Sequence, residues 1–197
     1  MDEELKQSFK DALRKCESKY VYNKFLLGHE VWFFKTKRKL KDHADVYHGL
    51  KMTMADKLGL HINNIAIVGS AKLGFSITPN AAKMFRDFSD ESDIDIVVVS
   101  QELFRKSWST FLEVKTKSHL RNYDRISSEV FRRFVTLKNV DYKYKFFQEW
   151  SSKMDPCKRD LQALYSIPAD VNYRIYESWE DVERYHLEGL DKLKKLL

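Results

Sequence analysis

The sequence predicts a mixed α/β domain with a small β-sheet, flanked by N-terminal and C-terminal helices. Two short runs, IAIV at 65–68 and IDIVVV at 94–99, are rich in the β-branched residues typical of buried strands. A third run, VNYRIY at 171–176, alternates polar and apolar residues as a strand with two different faces does. Apolar residues at helical spacing dominate the segments before, between and after these runs.

The first 60 residues predict helices that pack on this core. Residues 2 to about 19 place apolar side chains at helical spacing, with acidic residues first and basic residues later. An aromatic and then basic segment follows, which we interpret as helix or loop against the core. Residues 44–58 predict another helix, and Gly59 suits its C-terminal cap. We therefore divide the chain into an N-terminal helical region, 1–60, and a core, 61–197, that together form one compact unit.

Helical patterns also fill most of the chain between and after the strands. Helices are predicted over residues 101–118, from Ser127 or Ser128 through VFRRFVTL, over 141–154, and over 158–165 before Pro168. Ser100 with Gln101 and Glu102 marks the start of the first of these. The last helix opens with SWED at 178–181, which has the form of a capping box.

Composition and cysteine content favour a single domain in a reducing compartment. The chain has 197 residues, of which 43% are hydrophobic and 14% aromatic, enough for a buried core. Its N-terminus lacks the apolar stretch of a signal peptide, and no apolar run approaches the roughly 20 residues needed to span a bilayer. Cys16 and Cys157 have no metal-ligand neighbours in sequence. They read as free thiols, so we expect a cytoplasmic protein without a membrane partner.

The positive charge is concentrated in the middle of the chain. The net charge is +6, and residues 101–160 carry 14 Lys and Arg against 8 Asp and Glu. Aromatic residues such as Trp108 and Tyr123 alternate with these charges. Such a segment could attract polyphosphate or nucleic acid. A solvated cationic face over an aromatic core is at least as good an interpretation.

The first strand is followed by GSAKLG, residues 69–74, a turn suited to an anionic group. Gly69 lets the backbone approach a phosphate closely, and a strand-to-helix turn exposes amide N–H groups. Ser70 adds a hydroxyl donor, Lys72 a nearby cation and Gly74 a second flexible point. Alone this pattern is weak, because such turns are common in α/β proteins.

The second strand begins with two acidic residues that strengthen the prediction. Asp93 and Asp95 are two positions apart, so on an extended strand their carboxylates point to the same face. Ile94 and Ile96 would then turn into the core. Two adjacent carboxylates repel each other unless a cation lies between them, and Mg²⁺ favours such oxygen ligands together with substrate phosphates. The alternative is an acidic, solvent-exposed strand start.

GSAKLG followed by SDIDIVVVS resembles the Gly-Ser and paired-aspartate signature of the DNA polymerase β-like nucleotidyltransferases. The resemblance covers about residues 64–100. It implies a nucleotidyltransferase-type sheet in which Gly69 and Ser70 hold a nucleoside triphosphate. It further implies that Asp93 and Asp95 bind Mg²⁺ or Mn²⁺. Small bacterial proteins of this type occur in toxin–antitoxin and phage-defence systems, where they modify a protein, an RNA or a nucleotide.

The sequence departs from that pattern in two places. Gly69 and Asp93 are 24 positions apart, so the insert between them could form a lid or a specificity loop over the nucleotide. Its phenylalanines, Phe75, Phe85 and Phe88, could stack on a base or pin the loop down, and we favour the second interpretation. Active members also have a third carboxylate on a later strand. Asp170, at the start of the strand predicted within ADVNYRIY, is the best candidate, but Asn172 or Arg174 on the same strand face could occupy that place instead. Asp141 and Glu177 are weaker candidates.

Two functional hypotheses follow. The first is a metal-dependent nucleotidyltransferase that moves a nucleoside monophosphate onto a hydroxyl of a protein, RNA or nucleotide, with Asp93, Asp95 and Asp170 as its catalytic carboxylates. The alternative is a catalytically inactive protein of this fold that binds a nucleotide or a partner protein as a regulatory or defence component. An RNA-binding module built on the basic middle segment is less favoured, because no RNA-binding signature is present.

Overall fold

The computed structural model describes residues 3–138, 140, 142–164 and 170–197. The strands are β1 (Ile65–Val68), β2 (Ile94–Val99), β3 (Phe134–Thr136) and β4 (Val171–Tyr176). The longer helices are α1 (Glu3–Lys15), α3 (His43–Leu58), α5 (Gln101–Lys117), α6 (Tyr123–Phe131), α7 (Lys145–Leu164) and α8 (Trp179–Lys194). Two short helices are α2 (Ser18–Val21) and α4 (Gly69–Leu73), and two π-helical turns span Tyr22–Leu26 and Phe33–Lys37.

The four strands form one mixed sheet in the order β1-β2-β4-β3. Strand β2 lies in the interior of the sheet, antiparallel to β1 and parallel to β4, while β3 runs antiparallel to β4. In this register Asp95 on β2 lies opposite Asn172 on β4, and Val97 lies opposite Arg174. The C-terminal strand is therefore the direct neighbour of the strand that carries the acidic pair.

Helices pack on both faces of the sheet. Ile94, Ile96 and Val98 of β2 point into the largest core cluster, which they share with side chains of α3, α5 and α7. The alternate residues Val97 and Val99 point the other way, into a smaller cluster that includes Val182 and Tyr185 of α8. A third cluster joins α1 to the following helical segment and to α8. Side chains from both sides of residue 60 thus share the same core.

Most of the predicted elements are present with their expected boundaries. The mixed α/β class with a small sheet, the strands at 65–68, 94–99 and 171–176, and the helices at both ends are confirmed. Gly59 caps α3 with a left-handed φ of 69°. At the start of α5 the Ser100 hydroxyl accepts a bond from the Leu103 N–H at 3.2 Å. Ser178 does the same for Asp181 at the start of α8, at 3.3 Å.

Two predictions for the middle of the chain are wrong. The helix expected to run through VFRRFVTL ends at Phe131, and FVT forms the edge strand β3. Arg133 lies between them with a left-handed φ of 61°, which a continuing helix does not allow. The two helices expected around Pro156 are one, because α7 continues across the proline. The helical residues expected at 141 and 165 lie outside the described residues.

The insert between α4 and β2 is pinned to the core by its phenylalanines. Phe75 and Phe85 pack against Phe9 of α1, with ring centroids 5.3 and 6.4 Å from it. Phe88 packs against Trp32 at 5.8 Å. Aromatic residues of the insert therefore hold it in place, as the second of the two interpretations expects. Across the described ranges, no helix is both long and apolar enough to cross a membrane.

Candidate functional site

The acidic pair lies where the sequence places it, at the start of the interior strand β2. Asp93 immediately precedes the strand and Asp95 is its second residue, on the face opposite the buried Ile94 and Ile96. Burial raises the pKa of Asp95; the charge of Arg174 opposes this rise and that of Asp93 adds to it. The carboxylate of Asp95 thus needs a nearby positive charge to remain ionised.

The structure provides that positive charge from the neighbouring strand. Nη2 of Arg174 lies 3.6 Å from Oδ1 of Asp95. The side-chain amide of Asn172 donates a hydrogen bond of 2.7 Å to Oδ2 of Asp93. Both partners come from the polar face of β4. The face expected to supply a third carboxylate supplies an amide and a guanidinium instead.

Asp170 is not part of this arrangement. Its carboxylate accepts hydrogen bonds from the Lys158 ammonium of α7 and from the N–H of Val171. Lys158, by hydrogen bonding and charge, lowers the pKa of Asp170 despite partial burial. Helix α7 packs on the apolar face of the sheet, so the ion pair with Lys158 joins Asp170 to that helix. Its backbone carbonyl, by contrast, accepts a bond from the Ile94 N–H at 2.8 Å.

The two weaker candidates for a third acid do not complete the site either. Asp141 lies outside the described residues. The Glu177 carboxylate forms ion pairs with Arg105 at 3.3 Å and Arg133 at 2.7 Å. These contacts engage both of its oxygens at the far end of β4.

The Gly-Ser turn lies directly against Asp95. Gly69 has a left-handed φ of 69°, and a Cβ atom added there would lie 3.1 Å from Oδ2 of Asp95. Gly69 and Ser70 therefore begin α4 beside the acidic strand, as the motif predicts. A larger residue at position 69 would meet both a strained backbone and the carboxylate.

Lys72 and Gly74, also predicted to bind the nucleotide, lie elsewhere. The Lys72 side chain is buried and donates a hydrogen bond to the carbonyl of Gly28, in the N-terminal region. Gly74 caps α4 with a φ of 86°, and a Cβ there would come within 2.6 Å of the Trp32 ring. The structure explains Gly74 by packing, and it removes Lys72 from the surroundings of Asp95.

A cavity of about 270 Å³ opens between the Gly-Ser turn, the insert and α8. We call it the central cavity. Its charged lining residues are Asp95, Arg132, Arg174, Glu188 and Lys192. Residues 76–79 of the insert form one wall, so this part of the insert does border the site, as a lid would.

A second, more basic cavity of about 540 Å³ adjoins the first. The two share Asp95, Arg132, Arg174 and Tyr185. The second cavity adds Arg125, Glu129 and Lys138 to this set, so positive charges outnumber negative ones in it. We call it the basic cavity. Through Arg125, Arg132 and Lys138 the basic middle segment reaches this cavity.

Arg174, at the junction of the two cavities, is held from several sides. It donates a hydrogen bond of 3.0 Å to the hydroxyl of Tyr185, and its guanidinium carbon lies 5.6 Å from the centre of that ring. The ring of Phe134 lies at 6.0 Å. Burial alone would lower the pKa of Arg174, but the charge of Asp95 reverses the effect and raises it overall. The guanidinium is thus a fixed, permanently charged group.

Sequence reasoning missed Arg132 and Tyr185. Arg132 belongs to the stretch predicted as helix, so nothing marked it as a residue at a bend beside the sheet. Tyr185 lies one position before His186, which the helical pattern of α8 assigns to the buried face. A signal was present in that pattern, since Tyr185 and Val182 are three residues apart and share the face toward the sheet.

The donor set does not fit the metal site that the resemblance implies. One carboxylate is hydrogen bonded to an amide, and the other is paired with a guanidinium that supplies the cation itself. Among the residues that the structure describes, no group of three or more His, Cys, Asp or Glu side chains could hold a metal ion. Two-metal chemistry requires carboxylates that are free to face the metals.

What the arrangement can do is bind an anion. The central cavity brings two arginines, the Ser70 hydroxyl and the Gly-Ser backbone to one carboxylate. Guanidinium groups match the geometry of phosphate oxygens. Comparison with family models, with curated proteins and with solved structures gives no match for this chain.

Proposed function

We propose that the protein binds the phosphate groups of a nucleotide in the central cavity and does so without nucleotidyl transfer. The observation that carries this proposal is the position of Arg174. Its guanidinium lies 3.6 Å from Asp95, on the strand face where a third carboxylate would complete a metal site. A fixed cation at that place attracts phosphate and opposes the binding of two divalent ions.

The surroundings of Arg174 support phosphate as the ligand group. Arg132 and Lys192 line the same cavity, and Ser70 offers a hydroxyl donor beside Gly69. The Asp95 carboxylate keeps Arg174 ionised and oriented, so less conformational entropy is lost when an anion binds. The insert residues 76–79 supply a partly apolar wall, through Ile77 and Pro79, for the uncharged part of a ligand.

The basic cavity extends the site in one direction. It continues from Arg174 toward Arg125 and Lys138, so additional phosphates, or the backbone of a short RNA, would meet further cations there. In this proposal the protein is a nucleotide-responsive binding component, of the kind that a defence or toxin–antitoxin operon could use together with a partner protein.

The proposal is tested by calorimetric titration of the protein with ATP, GTP, CTP and UTP, each in Mg²⁺ and in excess EDTA. We expect binding of at least one triphosphate, with similar affinity in both conditions. Arg174→Met should weaken that binding by roughly tenfold or more, because a charged hydrogen bond to phosphate is lost. Arg184→Met, which removes an arginine of α8 that lines neither cavity, is the matched control and should have no effect.

A nucleotidyltransferase is the second candidate function. The contact between the Gly-Ser turn and Asp95, and the parallel pairing of β2 with β4, favour it. In that case Arg174 must leave Asp95 when substrate binds. Incubation with labelled triphosphates, Mg²⁺ or Mn²⁺ and cell extract tests this candidate. Label on a protein, RNA or nucleotide acceptor that disappears in Asp93→Ala/Asp95→Ala would replace the binding proposal; binding without label supports it.

A further inference from the structure

A second group of basic residues lies beside the edge strand β1, around the lysine that the sequence motif assigned to the nucleotide. Lys72 is only 3% exposed. Its ammonium donates a hydrogen bond to the Gly28 carbonyl, and within the described chain no carboxylate forms an ion pair with it. Glu30, the acidic residue whose charge acts on Lys72, forms its ion pair with Lys35 at 2.6 Å. A buried ammonium with only a neutral partner is costly unless another anion compensates its charge.

Lys72 lies at the base of a groove of about 450 Å³ between α3, β1 and the segment at Gly28. We call it the lysine groove. Its lining includes two lysines, Lys51 and Lys72, and two histidines, His29 and His48. No lining residue of this groove is acidic. Hence its charge is one-sided, in contrast to the central cavity.

The two lysines converge on one aromatic ring. The ammonium of Lys51 lies 5.6 Å from the centre of the Tyr47 ring, and that of Lys72 lies 5.9 Å from it. The hydroxyl of Tyr47 accepts a hydrogen bond of 3.2 Å from the Ile67 N–H, which fixes the ring against β1. The indole of Trp179 adds a second aromatic surface to the lining.

Within the described residues, neither lysine of this groove forms an ion pair with a carboxylate. Burial, opposed by the charge of Glu30 and assisted by that of Lys51, lowers the pKa of Lys72 to about 8. Burial also lowers the pKa of Lys51. A bound anion would offset both effects. The other titratable or charged groups lining this groove or the smaller cavity beside Lys72 are Lys24, His29, Glu30, Lys35, Tyr47 and His48.

We propose that the lysine groove binds a small molecule bearing a phosphate monoester, with Lys51 and Lys72 as its charged contacts. Two ammonium groups match the dianion of a phosphate monoester better than the single charge of a carboxylate. Because Lys72 is buried within the groove, a small molecule can reach it, whereas a polynucleotide backbone or a lipid surface cannot. Tyr47 and Trp179 would contact the uncharged part of the ligand. This site is independent of the function proposed for the central cavity.

Calorimetric titration with inorganic phosphate tests the proposal, at about pH 8.5 and in buffers of different ionisation enthalpy. At this pH much of Lys72 is neutral, because its pKa is about 8, and phosphate is dianionic. Binding should raise the pKa of Lys72 and draw a proton from the buffer. Lys72→Met should reduce this proton uptake. Lys51→Met and Lys72→Met should each weaken binding by roughly tenfold or more.

Arg174→Met separates the two sites and should leave phosphate binding in the lysine groove unchanged. Lys51 makes no hydrogen bond or ion pair within the described structure, so Lys51→Met tests the groove even if Lys72→Met fails to fold. Thermal unfolding of each variant identifies such a failure. The proposal is overturned if millimolar phosphate does not bind, if it binds without proton uptake, or if Arg174→Met alone removes the binding.

Discussion

The guanidinium of Arg174 and the carboxylate of Asp95 face each other across two neighbouring parallel strands, with Nη2 3.6 Å from Oδ1. Each side chain is about a quarter exposed, at 27% and 23%. The pair is therefore partly shielded from water. The charge of Arg174 offsets the repulsion between the carboxylates of Asp93 and Asp95. The two halves of the pair depend on one another electrostatically.

The first prediction is that this pair contributes to stability as a unit. Arg174→Met leaves the Asp95 carboxylate partly buried without its cation, and should lower the free energy of unfolding by about 1–3 kcal/mol. Adding Asp95→Asn should restore part of that loss, because the unpaired charge is removed. Urea unfolding of the two single variants and the double variant measures the coupling. Additive losses would show that the ion pair contributes nothing.

The second prediction compares two glycines with the same φ of 69°. Gly59→Ala meets nothing within 4 Å, so it should cost only the strain of a left-handed alanine, about 1 kcal/mol. Gly69→Ala adds a methyl group 3.1 Å from Oδ2 of Asp95, and should cost about 1–2 kcal/mol more. It should also weaken triphosphate binding, which Gly59→Ala should leave intact. Equal stability losses in thermal unfolding would contradict the close approach.

The third prediction concerns the buried His186 of α8. Burial, and secondly the charge of Arg174, lower its pKa to about 3. In the unfolded chain a histidine titrates near pH 6.5, so between these values the unfolded state binds a proton that the folded state does not. The free energy of unfolding should therefore fall as the pH decreases from about 6.5 toward 3, by up to about 1.4 kcal/mol per pH unit.

The share of His186 in this pH dependence is measured by replacement. His186→Phe should reduce the slope of unfolding free energy against pH in that range. The exposed His48 of α3 provides the control, since His48→Gln should leave the slope unchanged. If the His186→Phe and wild-type slopes coincide, the histidine takes up its proton in the folded state.

The fourth prediction distinguishes the two cysteines. Cys157 of α7 is fully buried, and burial raises the pKa of its thiol. Both effects slow its reaction with alkylating reagents, so its labelling should be slower than that of the partly exposed Cys16 by roughly a hundredfold or more. Mass spectrometry of timed reactions with and without urea measures this. Comparable rates in the native protein would contradict the packing of α7.

Three of the four strands, β1, β2 and β4, could be predicted because each carries a strand pattern in its own sequence. β1 and β2 consist mostly of β-branched residues. In β4 the polar and apolar residues of the sequence alternate, and in the structure they lie on opposite faces of the sheet. Strand β3 could not be predicted, because it has only three residues. They follow Arg132 and Arg133 and show no strand pattern of their own. The position of β3 depends on a left-handed Arg133, and no glycine marks that bend.

The candidate site could be predicted only as far as local spacing reaches. Spacing of two on β2 placed Asp95 correctly, and the Gly-Ser turn lies beside it. The alternation of side chains along a strand also favoured Asp170 as the third acid. Asp170 precedes β4, however, where the backbone does not fix the direction of a side chain, and it pairs with Lys158 of α7. The meeting of Arg132 with Arg174 follows from the order of the strands, which no single segment of sequence specifies.

The wall of the central cavity that the insert forms is supported by α1, near the start of the sequence. Residues 76–79 lie between Phe75 and Phe85, which both rest on Phe9 of α1. Lys6 of α1 also forms an ion pair with Asp87 on the same insert. Helix α1 therefore supports the wall of the central cavity that residues 76–79 form, although no α1 residue lines that cavity itself.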